Sequence, residues 1–250
     1  MGFGEKFNKI WKDLFEPVPE KRDEFSEETE EERRIEKEKK ADAERMKERE
    51  KMLELGMTEE EIDAYDPEKC AVMPSSGKLK VMIVSDTHGR LQNLKKALDV
   101  EKPIDVLLHC GDVTGDENII RRMAGCHVRI VSGNMDFGSG CPERDIFSIG
   151  SHKFLLCHGH RMSVNSGNEM LASHARASGA EAAFYGHTHK PEISMNNGVR
   201  IVNPGSISQP RQLERKYTYV IMEVDADSSK MPEFTLKEVE DPEPYRFSWS

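Results

Sequence analysis

The sequence predicts a layered α/β sandwich, two β-sheets flanked by helices, with a charged helical extension at its N-terminal end. Three observations carry this. Charge is unevenly divided: residues 1–78 hold 16 basic and 24 acidic side chains, net −8, whereas residues 79–250 hold 20 and 22, net −2. From Lys78 onward, short β-branched apolar runs alternate with helical stretches, the order that builds strand-helix-strand units. Toward the C-terminal end the strand runs follow one another closely, as in hairpins, so the sheets are mixed.

In chain order, Phe3, Phe7, Ile10, Trp11, Leu14 and Phe15 recur at spacings of three and four and predict a short amphipathic helix ended by Pro17 and Pro19. Its polar face mixes Glu5, Lys6, Lys9, Lys12 and Asp13, which suits docking on the core or on a second subunit better than binding an anionic membrane. Residues 27–55, rich in Glu, Lys, Arg and Ala, read as a solvated helix laced with i,i+4 pairs or as a partly disordered segment. Thr58 with Glu61 forms a capping box that starts another short helix, and Asp66-Pro67 stops it. Strands are expected at 81–84, 104–108, 128–131, 154–157, 182–185, 199–202, 217–224 and 234–239, with helices at 91–100 and 170–177.

Divided at residue 78, the low apolar fraction of 36% is explained, because the excess charge sits in the extension and the remainder is long enough for one sizeable core. No run approaches the ~18 apolar residues of a membrane span. Five cysteines without a close pair suit a reducing compartment, and a cytoplasmic protein is expected. A net charge of −10 with no basic stripe argues against a nucleic-acid partner.

Chemistry is concentrated at the strand ends. Val84 leads to Ser85-Asp86-Thr87-His88-Gly89, Leu108 to His109-Cys110-Gly111-Asp112, and Val131 to Ser132-Gly133-Asn134-Met135-Asp136. Cys157 leads to His158-Gly159-His160, and Tyr185 to Gly186-His187-Thr188-His189. Five strand ends each deliver an Asp, Asn or His beside a glycine, where open α/β sheets gather their ligands. Taken alone, Asp86 could simply cap a helix. Together, carboxylate, imidazole and amide oxygen without a thiolate motif suit borderline divalent ions, and seven ligands suit two ions sharing a carboxylate. His109, His127, His152 and His174 read as structural, and Asp99, Asp105 and Asp116 as solvated or capping acids. Cys110 and Cys157 read as small core residues within strands.

These five blocks, in order and spacing across residues 79 to about 210, resemble the calcineurin-like metallophosphoesterase superfamily, in particular its compact prokaryotic phosphodiesterase branch, similar in outline to the retromer scaffold subunit. The resemblance implies a four-layer α/β sandwich over residues 79–250 and a dinuclear phosphoesterase, here a phosphodiesterase. It implies that Asp86, His88 and His189 hold one ion, that Asn134, His158 and His187 hold the other, and that Asp112 bridges. A metal-bridging water would attack phosphorus. Two divalent ions are expected, Mn²⁺ first, with Fe²⁺, Zn²⁺, Ni²⁺ or Mg²⁺ as alternatives. The Asn203-Pro204-Gly205-Ser206 turn is also similar to one in that branch and is placed beside the site.

One departure stands out. The residue after Asn134, often a histidine that protonates the leaving oxygen in the family, is Met135, and a thioether donates no proton. His160 is the substitute by position, with simple hydrogen bonding as its alternative, and Asp136 is expected to orient a neighbour. The expected catalytic residues are therefore His160, Asn134 and Asp112, acting on a small phosphoester. A homo-oligomer or partner protein would engage residues 1–78. A competing reading is a non-catalytic metal-binding scaffold using the same fold, with residues 1–78 as its binding arm; a nuclease is disfavoured by the missing basic groove.

Overall fold

The computed structural model describes residues 30–244. The aromatic stripe of residues 3–15, with Pro17 and Pro19, lies outside them. The charged segment forms helix α1 (Glu30–Glu54), whose exposed surface carries ion pairs one turn apart, such as Glu36 with Lys40 at 2.7 Å. The division between compact units falls after Met46. Beyond it the chain already belongs to the larger unit, because Met52, Met57 and Ile62 are buried in its apolar core.

Helix α2 (Glu59–Asp63) begins with the capping box: Thr58 Oγ1 accepts the Glu61 amide at 3.1 Å, and Glu61 Oε2 accepts the Thr58 amide at 2.8 Å. Asp66-Pro67, expected only to stop this helix, starts another, α3 (Pro67–Ala71). Asp66 Oδ1 accepts the amides of Glu68 (3.0 Å) and Lys69 (3.1 Å), and proline suits the first helical position because its missing N–H would be unpaired there anyway.

The main body follows as β1 (Lys78–Val84), α4 (Gln92–Glu101), β2 (Val106–His109), α5 (Glu117–Ala124), β3 (His127–Ile130), β4 (Arg144–Ile149) and β5 (His152–Cys157). Then come α6 (Glu169–Ala177), β6 (Ala182–Phe184), β7 (Pro191–Asn196), β8 (Val199–Pro204), β9 (Thr218–Asp225) and β10 (Glu233–Glu238). Two five-stranded sheets result, ordered β10-β9-β1-β2-β3 and β4-β5-β6-β8-β7. Strands β1, β2 and β3 run parallel, with Val81 opposite Val106 and Val106 opposite His127; β5, β6 and β8 run parallel in the second sheet.

Alternation along the strands sorts the core. On β1, Leu79, Val81 and Ile83 meet Phe154, Leu156 and Phe184 of the second sheet, while Met82 and Val84 face Leu94, Leu98, Ile120 and Met123 of α4 and α5. On the far side, Leu155 and Ala183 pack against Leu171 and Ala175 of α6. The order is helix, sheet, sheet, helix. Each fully buried Leu, Ile or Phe here contributes about 1.5–3 kcal/mol. Among the described residues, no helix is long and apolar enough to cross a membrane.

Three elements go beyond the periodicity reading. Helix α5 spans only eight residues, barely two turns of pattern, and ends where Gly125 adopts φ +65°. Strands β4 and β7 are sheet edges, paired on one side and largely exposed, so their apolar runs are interrupted.

Candidate metal centre

Asp86 and His88 follow β1, Asp112 follows β2, Asn134 follows β3, His158 follows β5, and His187 and His189 follow β6. Parallel strands put all these ends on one edge of the two sheets. Asp86, His88, Asp112, His187 and His189 all have φ between +46° and +66°, the left-handed region that non-glycine residues seldom occupy. Cross-loop backbone bonds hold them there: the Asp86 amide donates to Gly111 O (3.0 Å) and the His88 amide to Asp112 O (2.9 Å). The glycines of the motifs allow close approach. A Cβ on Gly133 would overlap the Asp112 carboxylate, and one on Gly186 would overlap Ser85 Oγ.

All seven polar groups converge. His88 Nε2 lies 3.3 Å from His189 Nε2, which lies 3.2 Å from Asp86 Oδ1. Asn134 Oδ1 lies 2.9 Å from His187 Nδ1 and 3.2 Å from His158 Nε2. Between these groups stands Asp112, whose Oδ2 is 3.4 Å from His158 Nε2 and 3.8 Å from His88 Nε2. Asp86 with His88 and His189, and Asp86 with Asp112 and His158, each bring three ligand atoms within 4.8 Å of one another.

The hydrogen bonding around them suits a cation. His158 Nδ1 and His189 Nδ1 lie 2.7 Å from Cys110 O and 2.6 Å from Gln209 O, contacts that require a proton on Nδ1 and leave the neutral ring's Nε2 lone pair aimed inward. Asp86 is completely buried and its Oδ1 accepts no hydrogen bond, an arrangement that costs free energy unless a positive charge faces it. Burial would raise the Asp112 carboxyl, but the His158 hydrogen bond and charge, with the Met135 amide, bring it down to about 2. Burial would lower His158, and the Asp112 and Asp86 carboxylates raise it instead. The cluster therefore favours ionised carboxylates, the form that ligates metal.

A family profile described as the calcineurin-like phosphoesterase superfamily domain matches residues 79–227. The chain belongs to this superfamily. By that membership it is a metal-dependent phosphoesterase, and the donor set above fits divalent metal ions. The probable metallophosphoesterase YsnB of Bacillus subtilis is 31% identical over 154 residues, 60% of this chain and 88% of YsnB. The phosphodiesterase MJ0936 of Methanocaldococcus jannaschii is 28% identical over 146 residues, 51% of this chain and 83% of that protein. Among solved structures, a Streptococcus pneumoniae protein described as a predicted phosphoesterase superposes with a TM-score of 0.53 at 28% identity, covering 65% of this chain and 100% of that one. Vacuolar Protein Sorting 29 of Cryptosporidium parvum, at TM-score 0.54 and 19% identity, covers 65% and 98% and shares the fold.

Around this candidate centre, supporting residues become visible. Asp136 accepts three amides, those of Asp112 (2.8 Å), Thr114 (2.7 Å) and Gly133 (2.8 Å), tying the β3 loop to the β2 loop. The Met135 amide donates to Asp112 Oδ1 at 2.9 Å while its half-exposed thioether faces outward. His160 stacks obliquely, its ring centroid 5.5 Å from that of His158 and 6.3 Å from that of His187, and its Nδ1 is buried without a partner. Burial lowers its pKa, with His158 acting in the same direction. The 203–206 turn lies where expected: Asn203 Nδ2 donates to Gly186 O (2.9 Å), and Ser206 Oγ to Asp86 O (2.9 Å).

Several residues differ from their sequence reading or escaped it. Asp116 stands at the N-cap position of α5, as a capping acid should, but it is not solvated and its carboxylate makes no capping bond: it is buried and meets Lys51 Nζ at 2.7 Å. Asp105 accepts the Lys80 amide at 2.7 Å, which ties the chain entering β2 to β1. Cys110 lies just past the end of β2 yet is fully buried, as a small core residue should be. His109 is structural but close by, with Nε2 3.1 Å from Thr87 Oγ1 and Nδ1 accepting the Gly111 amide at 3.1 Å. Ser208, whose Oγ donates to Asp86 O at 2.8 Å, and Asn165, whose Nδ2 is 3.1 Å from His187 Nε2, carried no signal beyond being polar loop residues.

Proposed function

We propose that the chain is a two-metal phosphodiesterase. Asp86, His88 and His189 would hold one divalent ion, Asn134, His158 and His187 the other, and Asp112 would serve both. The observation that carries this reading is Asp112 Oδ2 standing between His158 Nε2 and His88 Nε2, one carboxylate facing both groups. Bound there, the ions would neutralise the phosphoryl oxygens and activate a water nucleophile. The carboxylate, imidazole and amide donors favour Mn²⁺ or a similar borderline ion.

The chain's own residues orient the reaction. Asp136 holds the Asp112 backbone, and the carbonyls of Cys110 and Gln209 fix the His158 and His189 rings. Because Met135 has no proton to give, His160 is the group available to hydrogen-bond the leaving oxygen, and diesters with good leaving groups are the favoured substrates.

The test is hydrolysis of bis(4-nitrophenyl) phosphate by the full chain with Mn²⁺. Activity should fall by more than about 100-fold in Asp112→Asn, beyond the loss typical of an outer ligand. Undiminished turnover by chelator-treated Asp112→Asn would overturn the reading. Two equivalents of bound metal with no turnover on any phosphoester would favour the scaffold alternative.

A further inference from the structure

A cleft of about 490 Å³ lies beside the metal centre, bounded by Asn165, Tyr185, Thr188, Lys190, Glu192 and Arg211. His187 links the two: its Nδ1 is 2.9 Å from Asn134 Oδ1, and its Nε2 is 3.1 Å from Asn165 in the cleft wall. Both cations hang from backbone tied to the neighbouring histidine. Lys190 follows His189 directly, and the Arg211 amide donates to His189 O at 3.1 Å.

Among the described residues, the side chains of Lys190 and Arg211 have no carboxylate partner, as is true of other exposed lysines and arginines of this chain. The one carboxylate bounding the cleft, Glu192, is held by neutral donors: Tyr185 Oη at 2.5 Å, Ser194 Oγ at 2.5 Å and Asn168 Nδ2 at 2.6 Å. Two unpaired cations against one engaged anion leave the cleft net positive, a focused field next to the phosphoryl position.

We propose that this cleft is a second anion subsite, which takes a phosphate or carboxylate borne on the ester group of the substrate. The inference rests on the phosphodiesterase reading and narrows it: the substrates are phosphodiesters that carry a second anionic group. The lysine supplies a point charge and the arginine a planar fork, a pair that suits a carboxylate or phosphate oxygen cluster.

Binding to the chelator-treated full chain tests this without turnover. Calorimetric titration should show 4-carboxyphenyl 4-nitrophenyl phosphate binding about fivefold more tightly than 4-nitrophenyl phenyl phosphate, and the preference should vanish in Lys190→Ala/Arg211→Ala. Equal affinities in the wild type, or a preference kept by the double variant, would overturn the proposal. Inorganic phosphate alone, titrated in parallel, separates the sources: binding as tight as that of the carboxylated diester and equally dependent on the two cations would assign the cleft to a free anion and overturn the substrate assignment. With Mn²⁺ present, the same preference should appear in KM. No turnover on either diester, with the binding preference intact, would sink the hydrolase reading and leave the subsite standing.

Discussion

His88 Nε2 and His189 Nε2 face each other at 3.3 Å although 101 residues separate them in the chain. Two imidazole nitrogens turned toward one another beside the buried Asp86 carboxylate make a pocket that suits a cation. Metal should therefore stabilise the fold. At Mn²⁺ one hundred times its Kd the gain is about 2.7 kcal/mol, or roughly 5–10 °C in Tm for a domain of this size. Scanning calorimetry of the chelated and loaded protein measures it, and an equal shift in Asp86→Asn would contradict a site at these residues.

Asp136 is the second lever. Replacing it with alanine strips the acceptor from the amides of Asp112, Thr114 and Gly133, and should destabilise the protein by about 2–4 kcal/mol in urea unfolding. Asp136→Asn keeps an oxygen acceptor and should lose less than half as much. Both variants should bind Mn²⁺ more weakly, because the Asp112 loop is no longer pinned.

The Lys51–Asp116 pair joins α1 to the loop before α5, with the ammonium also 3.3 Å from Gly89 O. Burial pushes the Asp116 carboxyl up despite Lys51. Lys51→Met, which leaves that carboxyl without its cation, should cost about 1–3 kcal/mol, and Lys51→Met/Asp116→Asn should recover most of the loss. A double variant no more stable than Lys51→Met would show that the lysine acts by packing alone.

Glu101 supplies a pH signature far from the centre. Burial would raise its carboxyl, but the Lys80 ammonium at 2.6 Å and the Tyr219 hydroxyl at 3.0 Å lower it overall. Because the folded-state pKa is below the unfolded one, the stabilisation is present above the unfolded value of about 4.3 and is lost as pH falls through the folded value. Glu101→Gln should be about 1–2 kcal/mol less stable at pH 7, and the gap should narrow as pH falls below the unfolded value, read from urea midpoints. A gap that stayed constant with pH would remove the charge from the explanation.

Much of this architecture is legible in the residues. The eight strands and two helices read from periodicity on residues 79–250 all appear, shifted by no more than a few positions at their ends, because buried strands between two sheets are continuous apolar runs. The convergence of Asp86, His88, Asp112, Asn134, His158, His187 and His189 was legible too. Each sits just past a strand that the pattern already locates, and parallel strands must bring such ends together. The supporting residues were less so, since Asn165, Ser208 and Asp116 meet partners 22, 122 and 65 residues away, and no local pattern encodes such pairings.

The amino-acid sequence by itself determined the fold class, the family and the polar residues at the strand ends, because short-range periodicity and motif spacing are properties of neighbouring residues. Only the tertiary structure decided that residues from Lys47 onward join the main core, that Asp66 opens a helix, and that Lys190 and Arg211 share a cleft beside His187. Those facts depend on which segments pack side by side, and packing is chosen by the whole chain at once.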